Sequence, residues 1–144
     1  MRVVLDTNVL IRAHPRSRAA ARRLLAALLE LHHTLVLSNE LIVETIKVLR
    51  YPHFRKLYEL SEAELYEYTQ FLQKVSVGVV LDPQYQASVL RDPNDLVVLQ
   101  TAERGEADIL CTHDADFYDP EIVSYCAARG IEVCREPVLL ARLA

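Results

Sequence analysis

Hydrophobic residues in this chain alternate between short continuous runs and longer stretches with helical spacing. The short runs, which are typical of buried strands, cover residues 2–5, 35–37, 75–81, 107–112 and 131–134. The longer stretches predict helices at residues 17–31, 39–50, 61–74, 92–104 and 119–130, with a short helix after the last strand. Because strands alternate with helices and the strands are continuously apolar, we expect a parallel sheet that is covered on both faces.

Residues with strong preferences for helix ends set the predicted boundaries. Ser38 is suited to cap the second helix, and Ser61 with Glu64 has the pattern of a capping box. Pro52 marks the end of the second helix, since the residue before a proline avoids the helical region. Gly105 is expected to stop the helix that starts near residue 92. The predicted fold is therefore a three-layer α/β/α sandwich with a central, mostly parallel sheet of four to five strands.

Length and composition favour one domain over residues 1–144. The chain has 144 residues, of which 51% are hydrophobic and 25% charged, and such a chain suits a single core. The purely apolar runs are too short to span a membrane. Three cysteines form an odd set without a CxxC pair, which favours reduced thiols and a cytoplasmic protein and argues against a zinc site.

The net charge of −4 hides an asymmetry between the two parts of the chain. Residues 1–60 carry 10 Lys/Arg and 5 Asp/Glu, whereas residues 61–144 carry 6 and 15. A protein that binds nucleic acid through bulk charge is usually basic overall, so any such binding here must be local. The basic residues cluster within 12–23 and 47–56, although a solvated helix face explains each cluster equally well.

Four acidic residues are candidates for chemistry. Asp6 and Asp114 each follow a predicted strand, Asp95 lies at a helix start, and Glu44 lies among apolar residues of a helix. If the two strands are neighbours, both aspartates lie at the carboxyl edge of the sheet, where α/β folds bind ligands. Each acid alone also fits an ordinary turn, cap or solvated position. Together they form an all-oxygen set without Cys or His, which favours Mg²⁺ or Mn²⁺ and phosphodiester chemistry.

Glycine-rich phosphate loops, which would indicate a different α/β nucleotide site, are absent from the sequence. The chain has neither GxxxxGK[ST] nor GxGxxG, the patterns of P-loop and dinucleotide-binding proteins. The first strand is followed by Asp-Thr-Asn rather than by the DxD of haloacid dehalogenases.

At this point an ordered set of motifs resembles the PIN domain family. The segments that carry the resemblance are VLDTNVL (4–10), SNELIVE (38–44), VLRYPHF (48–54), DPND (92–95) followed by Ala102, and ADILCTHDADF (107–117). The resemblance spans roughly residues 2–134. It is similar in particular to the VapC-like branch, whose members are toxins of toxin–antitoxin systems.

The resemblance implies a metal-dependent ribonuclease that uses Mg²⁺ or Mn²⁺. It places four acids in the catalytic and metal-binding set: Asp6, Glu44, Asp95 and Asp114. Four further residues would support them: Thr7, Asn8, Thr112 and the auxiliary acid Asp116. Asp92 is the alternative third acid, but the spacing of Asp95 to Ala102 fits the family helix better.

The expected partners follow from this resemblance together with the basic clusters at 12–23 and 47–56. Single-stranded or looped RNA would be the substrate, cleaved to 5′-phosphate and 3′-hydroxyl ends, and its backbone would be held by Arg12, Arg16, Lys47 and Arg50. A cognate antitoxin protein and a homodimer are also implied. A non-catalytic PIN-like module that binds RNA or protein is the alternative. His113 departs from the family pattern; we expect it to face solvent, with a phosphate contact as the other option.

Overall fold

A computed structural model describes residues 1–87, 89–90 and 92–144. Its five strands form one sheet: β1 (Arg2–Leu5), β2 (Thr34–Ser38), β3 (Ser76–Val79), β4 (Ile109–Cys111) and β5 (Glu132–Cys134). The strand order is β3-β2-β1-β4-β5, and every neighbouring pair runs parallel. The predicted α/β sandwich is confirmed, with a sheet that is wholly parallel over the described residues rather than mostly so.

Helices cover the sheet. They are α1 (Thr7–Leu10), α2 (Ala20–Glu30), α3 (Asn39–Leu49), α4 (Pro52–Tyr58), α5 (Glu62–Val75), α6 (Pro93–Arg104), α7 (Pro120–Ala127) and α8 (Glu136–Leu143), with a 3₁₀ helix at Ala115–Tyr118. A single cluster of buried apolar side chains extends from β1 to α8. In the part of the chain that the structure describes, no helix is long and apolar enough to cross a bilayer.

The hydrophobic pattern of the sequence did not predict two short helices, α1 and α4. The four-residue α1 begins directly after Asp6 and is too short to show helical periodicity. Pro52 does end α3, as expected, but it is also the first residue of α4. A proline is well tolerated there, because the first-turn N–H has no partner within the helix.

The predicted caps form as hydrogen bonds. The Ser38 hydroxyl accepts from the backbone N–H of Leu41 at 3.4 Å. Ser61 and Glu64 exchange hydrogen bonds of 3.1 and 3.2 Å between side chain and backbone, which completes the capping box. These contacts satisfy N–H groups that would otherwise lack partners at the two helix starts.

Gly105 ends α6 for a reason other than a left-handed cap. Its φ is −81°, in the right-handed region, and the left-handed residue is Glu106, with φ 51°. A Cβ at position 105 would lie 2.3 Å from Cγ1 of Val36 and 2.8 Å from the carbonyl oxygen of Thr101. Glycine is therefore required here because the end of α6 passes against the sheet.

Candidate functional site

The carboxyl edge of the sheet brings together residues that are distant in sequence. β1 and β4 are neighbours, and Leu5 lies opposite Cys111. The backbone N–H of Asp6 continues the ladder by donating to the carbonyl of Cys111 at 3.0 Å. The residues that follow the two strands, Asp6 and Thr112–Asp114, therefore share one end of the central strand pair.

Asp6 is buried and held by three donors. The backbone N–H of Thr7 donates to Oδ1 at 2.6 Å, while the Thr112 hydroxyl and the Asn8 amide donate to Oδ2 at 2.8 and 3.3 Å. Only 5% of Asp6 is exposed. Burial raises the pKa of Asp6, and the charge of Asp114 raises it further, whereas the three hydrogen bonds lower it.

Thr112 and Asn8 link Asp6 to the loop that carries Asp114. Besides donating to Asp6, the Thr112 hydroxyl oxygen accepts from the backbone N–H of Asp114 at 3.0 Å and from the Asn8 amide at 3.2 Å. Oδ1 of Asn8 accepts from the backbone N–H of His113 at 3.0 Å. The loop is thus positioned by the same two side chains that orient Asp6.

Three carboxylates come close enough to share one cation. One oxygen from each of Asp95, Asp114 and Asp116 lies within 4.8 Å of the other two. Asp95 is buried in the first turn of α6, and burial together with the charges of Asp114, Asp92 and Asp6 raises the pKa of Asp95 to about 7. Crowded carboxylates repel one another, and a bound cation relieves that repulsion. Since all the donors are oxygen, the set fits a hard divalent ion.

Asp92 and Asp95 have separate roles at the start of α6. Asp92 is the N-cap residue, and its Oδ1 accepts from the backbone N–H of Asn94 at 2.9 Å while the side chain is exposed. Asp95, three residues later, is only 7% exposed and belongs to the three-acid cluster. This division favours Asp95 over Asp92 as the third acid of the site.

The acids line a cleft of about 420 Å³ between α1, α3 and α6. Asp6, Asp95 and Asp114 lie on one side, and α3 contributes Glu44 and also Glu40. Glu44 is half-buried and its Oε2 lies 4.0 Å from the Lys47 ammonium. Glu44 therefore faces the same cleft without belonging to the three-acid cluster. Glu40 is not one of the four candidate acids, although its i, i+4 spacing to Glu44 places it on roughly the same helix face.

The cations expected to hold a nucleic-acid backbone are all paired with carboxylates. Arg12 binds Glu136 at 3.0 Å, Arg16 binds Glu64 at 2.6 Å, Arg50 binds Glu62 at 2.8 Å, and Lys47 approaches Glu44 at 4.0 Å. Each of these charges is therefore at least partly compensated within the chain. Arg12 is the nearest of the four to Asp6 in sequence, and its Nε donates to the carbonyl of Asn8 at 3.0 Å.

Glu136 is a buried acid that sequence reasoning missed. It is 3% exposed, and the Arg12 guanidinium contacts its two carboxylate oxygens at 3.0 and 3.1 Å. Nε2 of His113 lies 3.2 Å from Oε1 of Glu136. The expectation that His113 faces solvent is wrong, because its ring is turned toward this carboxylate. In sequence Glu136 looks like an ordinary first-turn acid, so nothing local signals its burial.

A second cavity, of about 440 Å³, lies between α2 and α5. Its lining is mostly apolar and includes the buried His14, whose Nε2 has no hydrogen-bond partner among the described residues. Asp6, Asp95 and Asp114 line the other cleft, so we place the candidate site there.

Comparison with known proteins gives one family. A family model described as a PIN domain matches residues 2–116, a segment that includes all the acids of the cleft. A search of curated proteins found no match to the chain.

Proposed function

This chain belongs to the PIN domain family, and on that premise we propose that it is a metal-dependent endoribonuclease that hydrolyses RNA phosphodiester bonds. PIN domains are generally nucleases, and they typically use divalent metals. The observation that carries the proposal is the crowding of Asp95, Asp114 and Asp116 in space, beside the buried Asp6. Such crowding is unfavourable without a cation and suits a site that holds one.

We propose that Mg²⁺ or Mn²⁺ is held by Asp6, Glu44, Asp95 and Asp114, with Asp116 as an auxiliary acid. When bound, the ion would activate water and neutralise charge on the scissile phosphate. Thr7, Asn8 and Thr112 would keep the Asp6 carboxylate in one orientation through the hydrogen bonds described above. Preorganised ligands of this kind lose little freedom when the substrate arrives.

The proposal extends to partners. Single-stranded RNA is the proposed substrate, with Arg12, Arg16, Lys47 and Arg50 as candidate contacts to its backbone. The resemblance of the motif residues to VapC-like proteins supports a role as the toxin of a type II toxin–antitoxin pair, with a cognate antitoxin, a homodimer and a cytoplasmic location. We also propose that residues 1–144 form a single domain, which is supported by the continuous apolar cluster.

Cleavage of a labelled single-stranded RNA tests the proposal. We expect wild-type protein to cut in Mn²⁺ and not in EDTA, and Asp6→Asn to be inactive while still folded. Asp119→Asn is the matched control, because Asp119 is an exposed cap of α7 outside the acidic cleft. Full activity in Asp6→Asn would contradict the assignment. RNA binding without any product in Mn²⁺ would instead favour a non-catalytic PIN-like module.

A further inference from the structure

Arg135 lies at the same edge of the sheet as the acidic cleft. It directly follows β5, the strand next to β4, and the residues after β4 carry Asp114. Cys134, the last residue of β5, lies opposite Cys111 of β4. Arg135 is therefore one strand further out than the acids and at the same level along the strands.

Two contacts hold Arg135 against the loop that carries Asp114. One guanidinium nitrogen donates to the carbonyl of His113 at 3.3 Å, and the guanidinium carbon lies 4.3 Å from the centre of the Tyr118 ring. The Tyr118 hydroxyl in turn donates to the carbonyl of Thr112 at 2.8 Å. The cation and the ring beneath it are thus tied to the segment that positions Asp6 and Asp114.

Arg135 differs from Arg12, Arg16 and Arg50 in how its positive charge is paired. Arg12, Arg16 and Arg50 each contact a carboxylate. Over the described residues, no carboxylate lies within 4.0 Å of the Arg135 guanidinium. Arg135 is also exposed, so most of its five N–H donors remain available to an anion.

We propose that Arg135, stacked on Tyr118, binds a backbone phosphate of single-stranded RNA next to the one at the acidic cleft. An arginine held by stacking presents its planar donors in one orientation, which suits a phosphate. Both residues lie beyond residue 116, where the family match ends. This inference rests on the proposed ribonuclease function and names where the substrate backbone continues.

The chain contains a matched arginine for comparison. Arg129 stacks on Tyr125 with its guanidinium carbon 3.4 Å from the ring centre, and it donates to the carbonyl of Tyr125. It differs in that its Nε lies 2.6 Å from Glu103, and in that it lies near the opposite, amino edge of the sheet. Arg129→Gln therefore removes a similar stacked cation that we do not expect to contact RNA.

The test measures RNA affinity by fluorescence anisotropy in Mg²⁺, with a labelled single-stranded RNA of about 12 nucleotides. Asp6→Asn serves as the parent protein, so that the RNA stays intact. We expect Arg135→Gln to weaken binding about tenfold and to lower the salt dependence, log Kd against log salt, by about 0.7 for one lost phosphate contact. Arg135→Lys keeps the charge and should retain most of that salt dependence. Arg129→Gln should leave both quantities unchanged.

Several results would overturn the inference. One is an unchanged affinity and salt dependence in Arg135→Gln. Another is an Arg135→Gln protein with lower thermal stability but an unchanged salt dependence, which would show a structural role only. If Arg135→Gln does not fold, Arg135→Lys provides the test. A loss of salt dependence in that variant equal to one phosphate contact would contradict a charge-based role. Equal losses in Arg129→Gln would show a nonspecific effect. If the parent protein binds no RNA, the proposed function is overturned as well. If the parent binds RNA and Arg135→Gln binds equally well, only the role of Arg135 is overturned.

Discussion

The Thr112 hydroxyl donates to Oδ2 of Asp6 at 2.8 Å, across a separation of 106 residues in sequence. The same oxygen accepts from the backbone N–H of Asp114, so one side chain connects the acids that follow β1 and β4. The Thr112–Asp6 contact is removed from bulk water, because Thr112 is fully buried and Asp6 is only 5% exposed. A buried polar contact of this kind is costly to break, since the groups left behind lose their partners.

Replacement of Thr112 by valine therefore tests whether this contact organises the site. The substitution keeps the branched shape but leaves Oδ2 of Asp6 and the N–H of Asp114 without the hydroxyl. We expect the free energy of unfolding to fall by about 1–3 kcal/mol and RNA cleavage to drop sharply. Urea unfolding and single-turnover cleavage measure the two effects. Thr112→Ser retains the hydroxyl and should keep most of the activity. Equal losses in both variants would contradict a specific role of the hydroxyl, because only Thr112→Val removes it.

The raised pKa of Asp95 predicts an unusual dependence of stability on pH in the absence of metal. The pKa of Asp95 is about 7 in the folded protein, whereas the ordinary value of 3.8 applies to the unfolded chain. Between these two pH values Asp95 holds a proton in the native state but not in the unfolded state. Its contribution to the free energy of unfolding is therefore present at low pH and is lost as the pH rises through about 7. His14 acts in the opposite direction, because burial lowers its pKa to about 4.

The comparison of wild type with Asp95→Asn separates these two groups, since His14 is unchanged in both. We expect the free energy of unfolding of Asp95→Asn, measured with urea in EDTA, to increase relative to that of wild type as the pH rises. Protons should also compete with metal: calorimetric Mn²⁺ affinity of wild type is expected to be about tenfold weaker near pH 6 than near pH 8. An Asp95→Asn protein with the same pH dependence as wild type would contradict this account.

The pairing of Arg12 with the buried Glu136 predicts a large effect on stability. Arg12→Met leaves the Glu136 carboxylate buried beside His113 without its guanidinium partner, and we expect a loss of about 3 kcal/mol in the free energy of unfolding. The double variant Arg12→Met/Glu136→Met should recover most of that loss, because no unpaired charge stays buried. Arg16→Met is the control, since the side chain of its partner Glu64 is 30% exposed, against 4% for that of Glu136, and little change is expected. A double variant as unstable as the single one would show that packing, rather than charge, explains the effect.

Much of the fold follows from local sequence. The apolar runs predicted the positions of all five strands that the structure describes. β4 and most of β1 and β2 are buried, which requires continuously apolar residues, whereas the edge strand β3 is largely exposed. Ser38, Ser61 and Pro52 marked helix ends, since their chemistry acts on the nearest backbone groups. The sequence pattern did not predict α1 and α4, because neither helix is long enough to show helical periodicity.

The site was only partly predictable. The acids that follow β1 and β4 stood out because a parallel sheet places its ligands at the strand ends, and the structure does bring Asp6 and Asp114 to one cleft. Glu136 could not be distinguished from any other acid at a helix start. The basic clusters suggested contacts to RNA, yet the structure pairs Arg12, Arg16 and Arg50 with carboxylates that lie 124, 48 and 12 residues away in sequence.

By itself, the sequence determined the parallel α/β class, most helix boundaries and the acidic character of one sheet edge, because these depend on the periodicity and chemistry of neighbouring residues. Only the tertiary structure decided which charges are neutralised and which remain available. Among the residues that the structure describes, Arg12 is paired with a carboxylate and Arg135 is not, although both donate to backbone carbonyls at the carboxyl edge of the sheet. That difference depends on the order of the strands and on the docking of α8, which place residues more than 100 positions apart within hydrogen-bonding distance.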